Sequence, residues 1–200
     1  MHPHRETQCL KRANLLVLVG LPGSGKTNVG RQLARRLRIP FIDSDHVIEQ
    51  RLGCAIRTFF EHEGEDAFRD IESQVLDELS AHFQGVLSTG GGSVLRPINR
   101  ERLHARGQVF YLRAAPEEVF RRLRHDRNRP LLQVDDPMKK LRDLYQVRDP
   151  LYREAAHYII ETSRPSVSGL VNMITTQLEL SGDLDAFRHE PTSATDPSAP

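Results

Sequence analysis

The sequence predicts one α/β domain in which a parallel sheet is covered by helices on both faces. Three observations carry this. Apolar runs of strand length recur along the chain, stretches of helical spacing separate them, and a glycine-rich loop follows the first apolar run. With 200 residues, 38% of them hydrophobic, the chain suffices for one domain with a buried core. Strands that alternate with helices must cross over between neighbours, so the sheet they form is parallel.

The first strand is Leu15-Leu16-Val17-Leu18-Val19, an apolar run bounded by glycine. Directly after it, Gly20-Leu21-Pro22-Gly23-Ser24-Gly25-Lys26-Thr27 matches the Walker A pattern G-x-x-x-x-G-K-[ST] in full. Asn28 to Arg38 then carries Val29, Leu33, Ala34 and Leu37 at helical spacing. Gly20, Gly23 and Gly25 let the backbone turn and bring its N–H groups up to phosphate oxygens, where the start of the helix adds partial positive charge. Lys26 can reach the β and γ phosphates, and the Thr27 hydroxyl can ligate Mg²⁺. A glycine turn beside a solvated lysine would give such a match by chance only on the order of one time in a hundred. Gly23, Ser24, Gly25, Lys26, Thr27 and Asn28 are therefore the candidate nucleotide ligands.

Pro40 breaks the first helix, Phe41-Ile42 reads as a short buried strand, and Asp43-Ser44-Asp45 marks its carboxyl end. Two apart on extended chain, Asp43 and Asp45 face the same way, one available to Mg²⁺ and the other to a substrate hydroxyl. Asp45 could equally cap the helical stretch that follows, His46 to Leu52. Gly64 to Phe83 is a long helical stretch with Phe68, Ile71, Val75, Leu76 and Leu79 in one stripe. Arg69 lies beside that stripe, where taken alone it would be a surface residue paired with Glu65 or Glu72. A strand at Val86-Leu87-Ser88 leads into Thr89-Gly90-Gly91-Gly92-Ser93, and three glycines at a strand end suit close backbone approach to a ligand.

Val109-Phe110-Tyr111-Leu112 is a central strand, and Pro116 opens a helix through Val119, Phe120 and Leu123. Arg124 to Asp136 is basic and then turn-rich, which fits either a solvated charged loop or, beside a phosphate site, a mobile lid. Met138 to Ala155 is helical, Tyr158-Ile159-Ile160 is the last strand, and a final helix carries Val167, Leu170, Val171, Ile174 and Leu178. The expected layout is a domain over 14–180, an N-terminal extension over 1–13 and a disordered tail over 181–200.

Lys and Arg total 28 against 27 Asp and Glu, so no global charge favours nucleic acid or an anionic membrane. The two cysteines, Cys9 and Cys54, form no C-x-x-C pair, and no apolar segment has the length of a signal-peptide core or a membrane span. The expected compartment is the reducing cytoplasm. The nine histidines form no metal-binding spacing.

Taken together, the motifs resemble the shikimate kinase family from about Leu15 to Leu178. The resemblance rests on the Walker A loop, Asp43-Ser44-Asp45, Phe68-Arg69-Asp70-Ile71-Glu72, Gly90-Gly91-Gly92, Arg129-Pro130-Leu131-Leu132 and Arg148-Asp149-Pro150-Leu151-Tyr152, in that order. It implies a three-layer P-loop kinase fold with a five-stranded parallel sheet ordered 2-3-1-4-5 and a mobile lid. It also implies transfer of the γ-phosphate of ATP to the 3-hydroxyl of shikimate by a monomer. By position, Asp45, Arg69, Gly90, Gly91, Gly92 and Arg148 would bind shikimate, with Asp45 orienting the hydroxyl and taking its proton. Arginine forks suit the one carboxylate of shikimate. Positioning matters most in phosphoryl transfer, so an aspartate of ordinary pKa would serve. Lys26 and lid residue Arg129 would offset charge on the transferring group, and Thr27 and Asp43 would hold Mg²⁺. Arg122 and Arg164 would flank the adenine. Thr27 stands where serine is commoner and Ser93 where alanine is frequent. Two alternatives stay open at this level: another small-molecule kinase of the same fold, such as gluconate kinase, and a non-catalytic nucleotide-binding module. The first leaves the glycine triplet with Arg69 and Arg148 unexplained, and the second predicts a missing Lys26, Asp45 or arginine.

Overall fold

A computed structural model describes residues 14–124, 135–163 and 165–187. Five parallel strands form one sheet: β1 (Leu15–Val19), β2 (Phe41–Asp43), β3 (Gly85–Ser88), β4 (Gln108–Arg113) and β5 (Tyr158–Glu161), in the order β2-β3-β1-β4-β5. Among the described residues, seven α-helices connect and cover them: α1 (Lys26–Leu37), α2 (Ser44–Leu52), α3 (Ile56–His82), α4 (Pro97–Arg106), α5 (Pro116–Leu123), α6 (Pro137–Ala155) and α7 (Val167–Leu180).

The alternation of side chains along a strand divides the core in two. Leu15, Val17 and Val19 of β1 join Val109 and Tyr111 of β4 in a cluster with Leu76, Leu103 and Tyr152 of α3, α4 and α6. Leu16, Leu18, Phe110 and Leu112 face the other way, onto Val29 and Leu33 of α1 and Leu170, Val171 and Ile174 of α7. All five residues of β1 are fully buried. Apolar residues on both faces are what a central parallel strand requires, and they explain why β1 and β4 read as continuous apolar runs.

Several boundaries differ from the sequence-based expectation. β2 is a half-buried edge strand rather than a buried one, since it pairs with β3 alone. α3 starts eight residues before Gly64, which interrupts it with φ 83° and ψ 178°. Phe59 and Phe60 of that first segment pack on Ile48, Phe68 and Val75 in a separate small cluster. α4 was not anticipated: it is mostly polar, and Leu103 is its one apolar residue that is fully buried. The chain also stays ordered past Leu180. A 3-10 helix, Leu184–Phe187, buries Leu184 and Phe187 against the α7 side of the core, so the disordered tail expected from residue 181 does not begin there. The polar composition of 181–200 hid those two anchors. Among the described residues, no helix is long and apolar enough to cross a membrane.

Candidate functional site

The carboxyl ends of β1, β2 and β3 open into a cleft of about 540 Å³ lined by Pro22, Gly23, Gly25, Lys26, Thr27, Asn28, Asp43, Asp45, Ser88, Thr89, Gly91, Arg122 and Leu123. On its first wall the loop between β1 and α1 holds Gly20, Gly23 and Gly25 at φ 148°, 80° and 99°, values that favour glycine. A Cβ on Gly20 would stand 2.6 Å from the Leu112 carbonyl oxygen. Gly25 caps α1, and the buried Lys26 follows, its Nζ donating to the carbonyls of Gly20 at 2.8 Å and Leu21 at 2.9 Å. Folded back on its own loop, the ammonium completes the curve of the turn. Ser24 is buried and lies outside the cleft lining; its carbonyl accepts from Arg122 Nη1 at 3.3 Å, while Arg122 Nη2 donates to the Thr162 carbonyl at 2.7 Å. Arg122 thus ties the phosphate-type loop to the end of β5.

Asp43 and Asp45 both line the cleft, but not for the reason the spacing suggested. β2 ends at Asp43, whose Oδ1 caps α2 by accepting from the Asp45 N–H at 3.1 Å and whose Oδ2 accepts from Thr27 Oγ1 at 2.9 Å. The capping role weighed for Asp45 belongs to Asp43, and Asp45 sits in the first turn of α2. Burial first, and then the neighbouring Asp43 carboxylate, push the Asp45 carboxyl up to about 6 against the pull of Lys26. An aspartate of ordinary pKa would have served the reaction, but this environment produces a raised one.

The glycine triplet is built for room rather than for backbone freedom, since none of the three has positive φ. A Cβ on Gly90 would lie 2.5 Å from Asp45 Oδ1, one on Gly91 would lie 2.6 Å from the Pro22 ring, and one on Gly92 would overlap the Arg69 guanidinium. The turn therefore touches the proposed base, the Walker A loop and an arginine at successive residues. Arg148 Nη1 donates to the Gly91 carbonyl at 3.0 Å, and the Tyr152 hydroxyl donates to the same oxygen at 2.5 Å. Residues 148 and 152 are one helical turn apart on α6, so a single carbonyl fixes both.

Arg69 makes both pairings considered for it. Nη1 donates to Glu72 at 2.7 Å, and Nε and Nη2 reach Glu65 at 3.2 and 3.0 Å. It is not a surface residue: its side chain is 11% exposed, and Glu72 beneath it is 2% exposed. The guanidinium also lies over the Phe68 and Phe60 rings, at 5.2 and 5.8 Å. Burial pushes the Glu72 carboxyl above its ordinary value, opposed by the Arg69 charge.

Of the sequence candidates, the cleft lining gathers Gly23, Gly25, Lys26, Thr27, Asn28, Asp43, Asp45, Gly91 and Arg122. Gly90, Gly92, Arg69 and Arg148 stand around the Gly91 turn at its border. Arg129 and Arg164, and most of the expected lid, lie outside the described residues. Sequence reasoning missed the parts that hold the glycine turn. Thr89 Oγ1 donates to the Leu18 carbonyl at 3.1 Å and accepts from Ser93 Oγ at 3.0 Å, while the fully buried Asn99 donates to the Ser93 carbonyl at 3.0 Å. Arg100 adds a bond to the Val94 carbonyl at 2.8 Å. Glu72, already weighed as a partner of Arg69, was legible from its i,i+3 spacing, and the i,i+4 spacing of Tyr152 from Arg148 was the signal available for Tyr152.

The family model for shikimate kinase matches residues 22–179. A shikimate kinase from Burkholderia thailandensis is 59% identical over 167 residues, covering 84% of this chain and 91% of its own length. Among solved structures, shikimate kinase from Acinetobacter baumannii in complex with shikimate is 49% identical with a TM-score of 0.80, covering 87% of this chain and 97% of that one. A gluconokinase from Sinorhizobium meliloti superposes with a TM-score of 0.52 at 17% identity over 87% of this chain and 97% of its own, a likeness of fold alone.

Proposed function

The chain belongs to the shikimate kinase family, and on that premise we propose how its residues share the transfer of the γ-phosphate of ATP to the 3-hydroxyl of shikimate. The observation that carries the reading is that Lys26, Thr27, Asp45 and Gly91 line one cleft. ATP is the phosphate donor. Its phosphates lie against the N–H groups of Gly23 to Thr27, with Lys26 leaving the Gly20 and Leu21 carbonyls for the β and γ oxygens and Asn28 and Arg122 bordering the nucleotide. Arg129 and Arg164 keep the roles expected from the family resemblance, at the transferring phosphate and the adenine.

Across the cleft, Arg69 and Arg148 grip the shikimate carboxylate, and the backbone of Gly90 to Gly92 offers room for the ring. Asp45 accepts a hydrogen bond from the 3-hydroxyl. As the new bond from that oxygen to phosphorus forms and the bond from phosphorus to the β-γ bridging oxygen breaks, the hydroxyl proton passes to Asp45 and ADP leaves. A carboxylate with a pKa near 6 is ionised at neutral pH yet more basic than an ordinary aspartate, which suits this step.

The oxygen donors of the cleft fit Mg²⁺. Thr27 Oγ1 and Asp43 Oδ2 lie 2.9 Å apart, and Mg²⁺ is held by few protein oxygens with water and phosphate completing its shell. When bound, the ion offsets charge on the phosphate oxygens. We further read the chain as a cytoplasmic monomer without nucleic-acid or membrane partners. We read the kinase domain as beginning at about residue 14 and including the packed turn Leu184–Phe187, around the 22–179 family match.

The test is ADP release from MgATP by the purified protein. Release should depend on shikimate, and turnover of gluconate or of no acceptor at all would refute the reading. Asp45→Asn should lower kcat by about 10²- to 10⁴-fold with nucleotide affinity within about twofold of the parent. Equal losses in both would assign Asp45 to the fold or the metal instead.

A further inference from the structure

We propose that the Tyr111 hydroxyl and the Asp149 carboxylate form a positioning pair that sets where Arg148 points. The argument starts at Pro150, inside α6 and two residues after Arg148. Proline has no N–H, so the Gln146 carbonyl loses its helical partner, and the ring crowds that carbonyl. The helix ladder is therefore weakest beside the residue whose direction matters most.

Side chains on two faces of α6 tie this stretch to the glycine turn and to the sheet. One face carries Arg148 and Tyr152, both on the Gly91 carbonyl at 3.0 and 2.5 Å. The other carries Asp149 and Arg153, one turn apart. Asp149 accepts from the Tyr111 hydroxyl at 2.8 Å and from Arg153 Nε at 2.7 Å, with Arg113 Nε at 3.4 Å. Arg113 is itself held by the Tyr145 hydroxyl at 2.8 Å and Glu161 at 2.7 Å, so this face is referenced to β4 and β5.

Tyr111 belongs to both faces. It is fully buried on β4, its hydroxyl holds Asp149, and its ring packs on the Tyr152 ring with centroids 4.9 Å apart and planes at 30°. A roll of α6 that swung Arg148 away from Gly91 would pull Asp149 off a hydroxyl fixed in the sheet. The hydrogen bond to an ionised acceptor is of the strong kind, and the low exposure of Asp149, 15%, limits competition by water. The Walker A loop takes no part in these contacts.

The inference rests on the reading of Arg148 as a ligand of the substrate carboxylate, and the experiment separates the two. Steady-state kinetics on both substrates would compare Tyr111→Phe, Asp149→Ala, Asp149→Asn, the Tyr111→Phe/Asp149→Ala double variant and Arg148→Lys, with thermal melts of each. Tyr111→Phe keeps the ring contact with Tyr152, and Asp149 is not a core residue, so at least one single variant should fold. Tyr111→Phe and Asp149→Ala should each raise KM for shikimate on the order of tenfold, with kcat and KM for ATP within about twofold. The double variant should be no worse than Asp149→Ala alone, because that change already removes the bond that Tyr111→Phe removes. Asp149→Asn keeps an oxygen acceptor for Tyr111 and should stay within about threefold of the parent. Lower melting temperature with unchanged KM for shikimate, parallel loss for both substrates, or additive effects in the double variant would overturn the pairing. If Arg148→Lys leaves KM for shikimate unchanged, the reading of Arg148 itself fails.

Discussion

On the proposed phosphate side of the cleft, the wall comes from one continuous loop, Gly20 to Thr27, and its shape is stored in three positive φ angles. On the acid side, Asp45, Arg69, Glu72, Gly90 to Gly92, Arg148 and Tyr152 come from α2, α3, the turn after β3 and α6, and they hold one another by side-chain contacts. The first wall is a property of local backbone. The second exists only once four segments have packed. In the proposed function, triphosphate binding rests on the first wall and the choice of acceptor on the second, where a change at one residue moves its partners.

Alanine in place of glycine should separate the two walls most sharply. At Gly20 the new Cβ meets the Leu112 carbonyl oxygen at 2.6 Å with φ at 148°, and neither backbone can yield. Gly20→Ala should therefore cost on the order of 2–4 kcal/mol of folding stability and most nucleotide binding. At Gly92 the obstacle is the end of a flexible side chain, so Gly92→Ala should fold, displace Arg69 and raise KM for shikimate on the order of tenfold with KM for ATP unchanged. Chemical unfolding and two-substrate kinetics read both effects. A Gly92→Ala protein impaired equally toward ATP would show that the walls are not independent.

Glu72 tests the acid side from beneath. Its carboxylate is buried and bonded to Arg69, and without that charge the guanidinium must lean on the exposed Glu65 carboxylate. Glu72→Gln replaces a carboxylate that burial holds above its ordinary pKa, so stability should change by no more than about 1 kcal/mol, while KM for shikimate should rise several-fold, again without moving KM for ATP. If only stability falls, Glu72 serves the fold of α3 and Arg69 needs no support.

The same contrast governs what could be read from the sequence. The phosphate wall was legible because its geometry is local: three glycines at fixed offsets specify three φ angles, and β1 beside it announces itself by apolar residues on both faces. Asp43 and Asp45 were placed in the cleft by an alternation rule that does not apply, since the strand ends at Asp43 and the helix begins one residue later. The glycine triplet was assigned to ligand approach, whereas its first demand is space for Asp45, Pro22 and Arg69. Arg69 looked like a surface ion pair because burial is decided by packing of α3 on the glycine turn, which no spacing encodes. α4 escaped because Asn99 and Arg100, which hold that turn, are polar residues in buried positions.

Asp45 stands where the two walls meet, and its pKa gives a pH test. Raised from 3.8 to about 6, the group favours the folded state when protonated. That contribution is complete below the unfolded value and is lost as pH rises through about 6. Asp45→Asn removes the penalty, so it should melt a few degrees higher than the parent at pH 7, equivalent to about 1–2 kcal/mol. The gap should close at pH 4. Activity runs the opposite way: kcat/KM of the parent should fall as pH drops below about 6, because a protonated Asp45 cannot take the hydroxyl proton. A variant no more stable than the parent at pH 7 would mean that Asp45 is better compensated than its surroundings indicate.

The smallest effect concerns Glu65. Arg69 Nε and Nη2 both donate to its Oε1, at 3.2 and 3.0 Å, and this is the edge of the guanidinium not used by Glu72. The Glu65 side chain is 60% exposed, and exposed pairs contribute only about 0.2–1 kcal/mol, so it holds the fork loosely. In the proposed site the substrate carboxylate takes the same fork and must displace Glu65 to do so. Glu65→Gln should accordingly lower KM for shikimate by about two- to fivefold at low ionic strength, and by less in high salt, where the competing pair is already screened. Stability should change little, because Glu72 keeps its bond. A higher KM in Glu65→Gln would reverse the assignment: the exposed carboxylate would then be a second prop for Arg69, and the acid wall would depend on partners at its surface as well as in its interior.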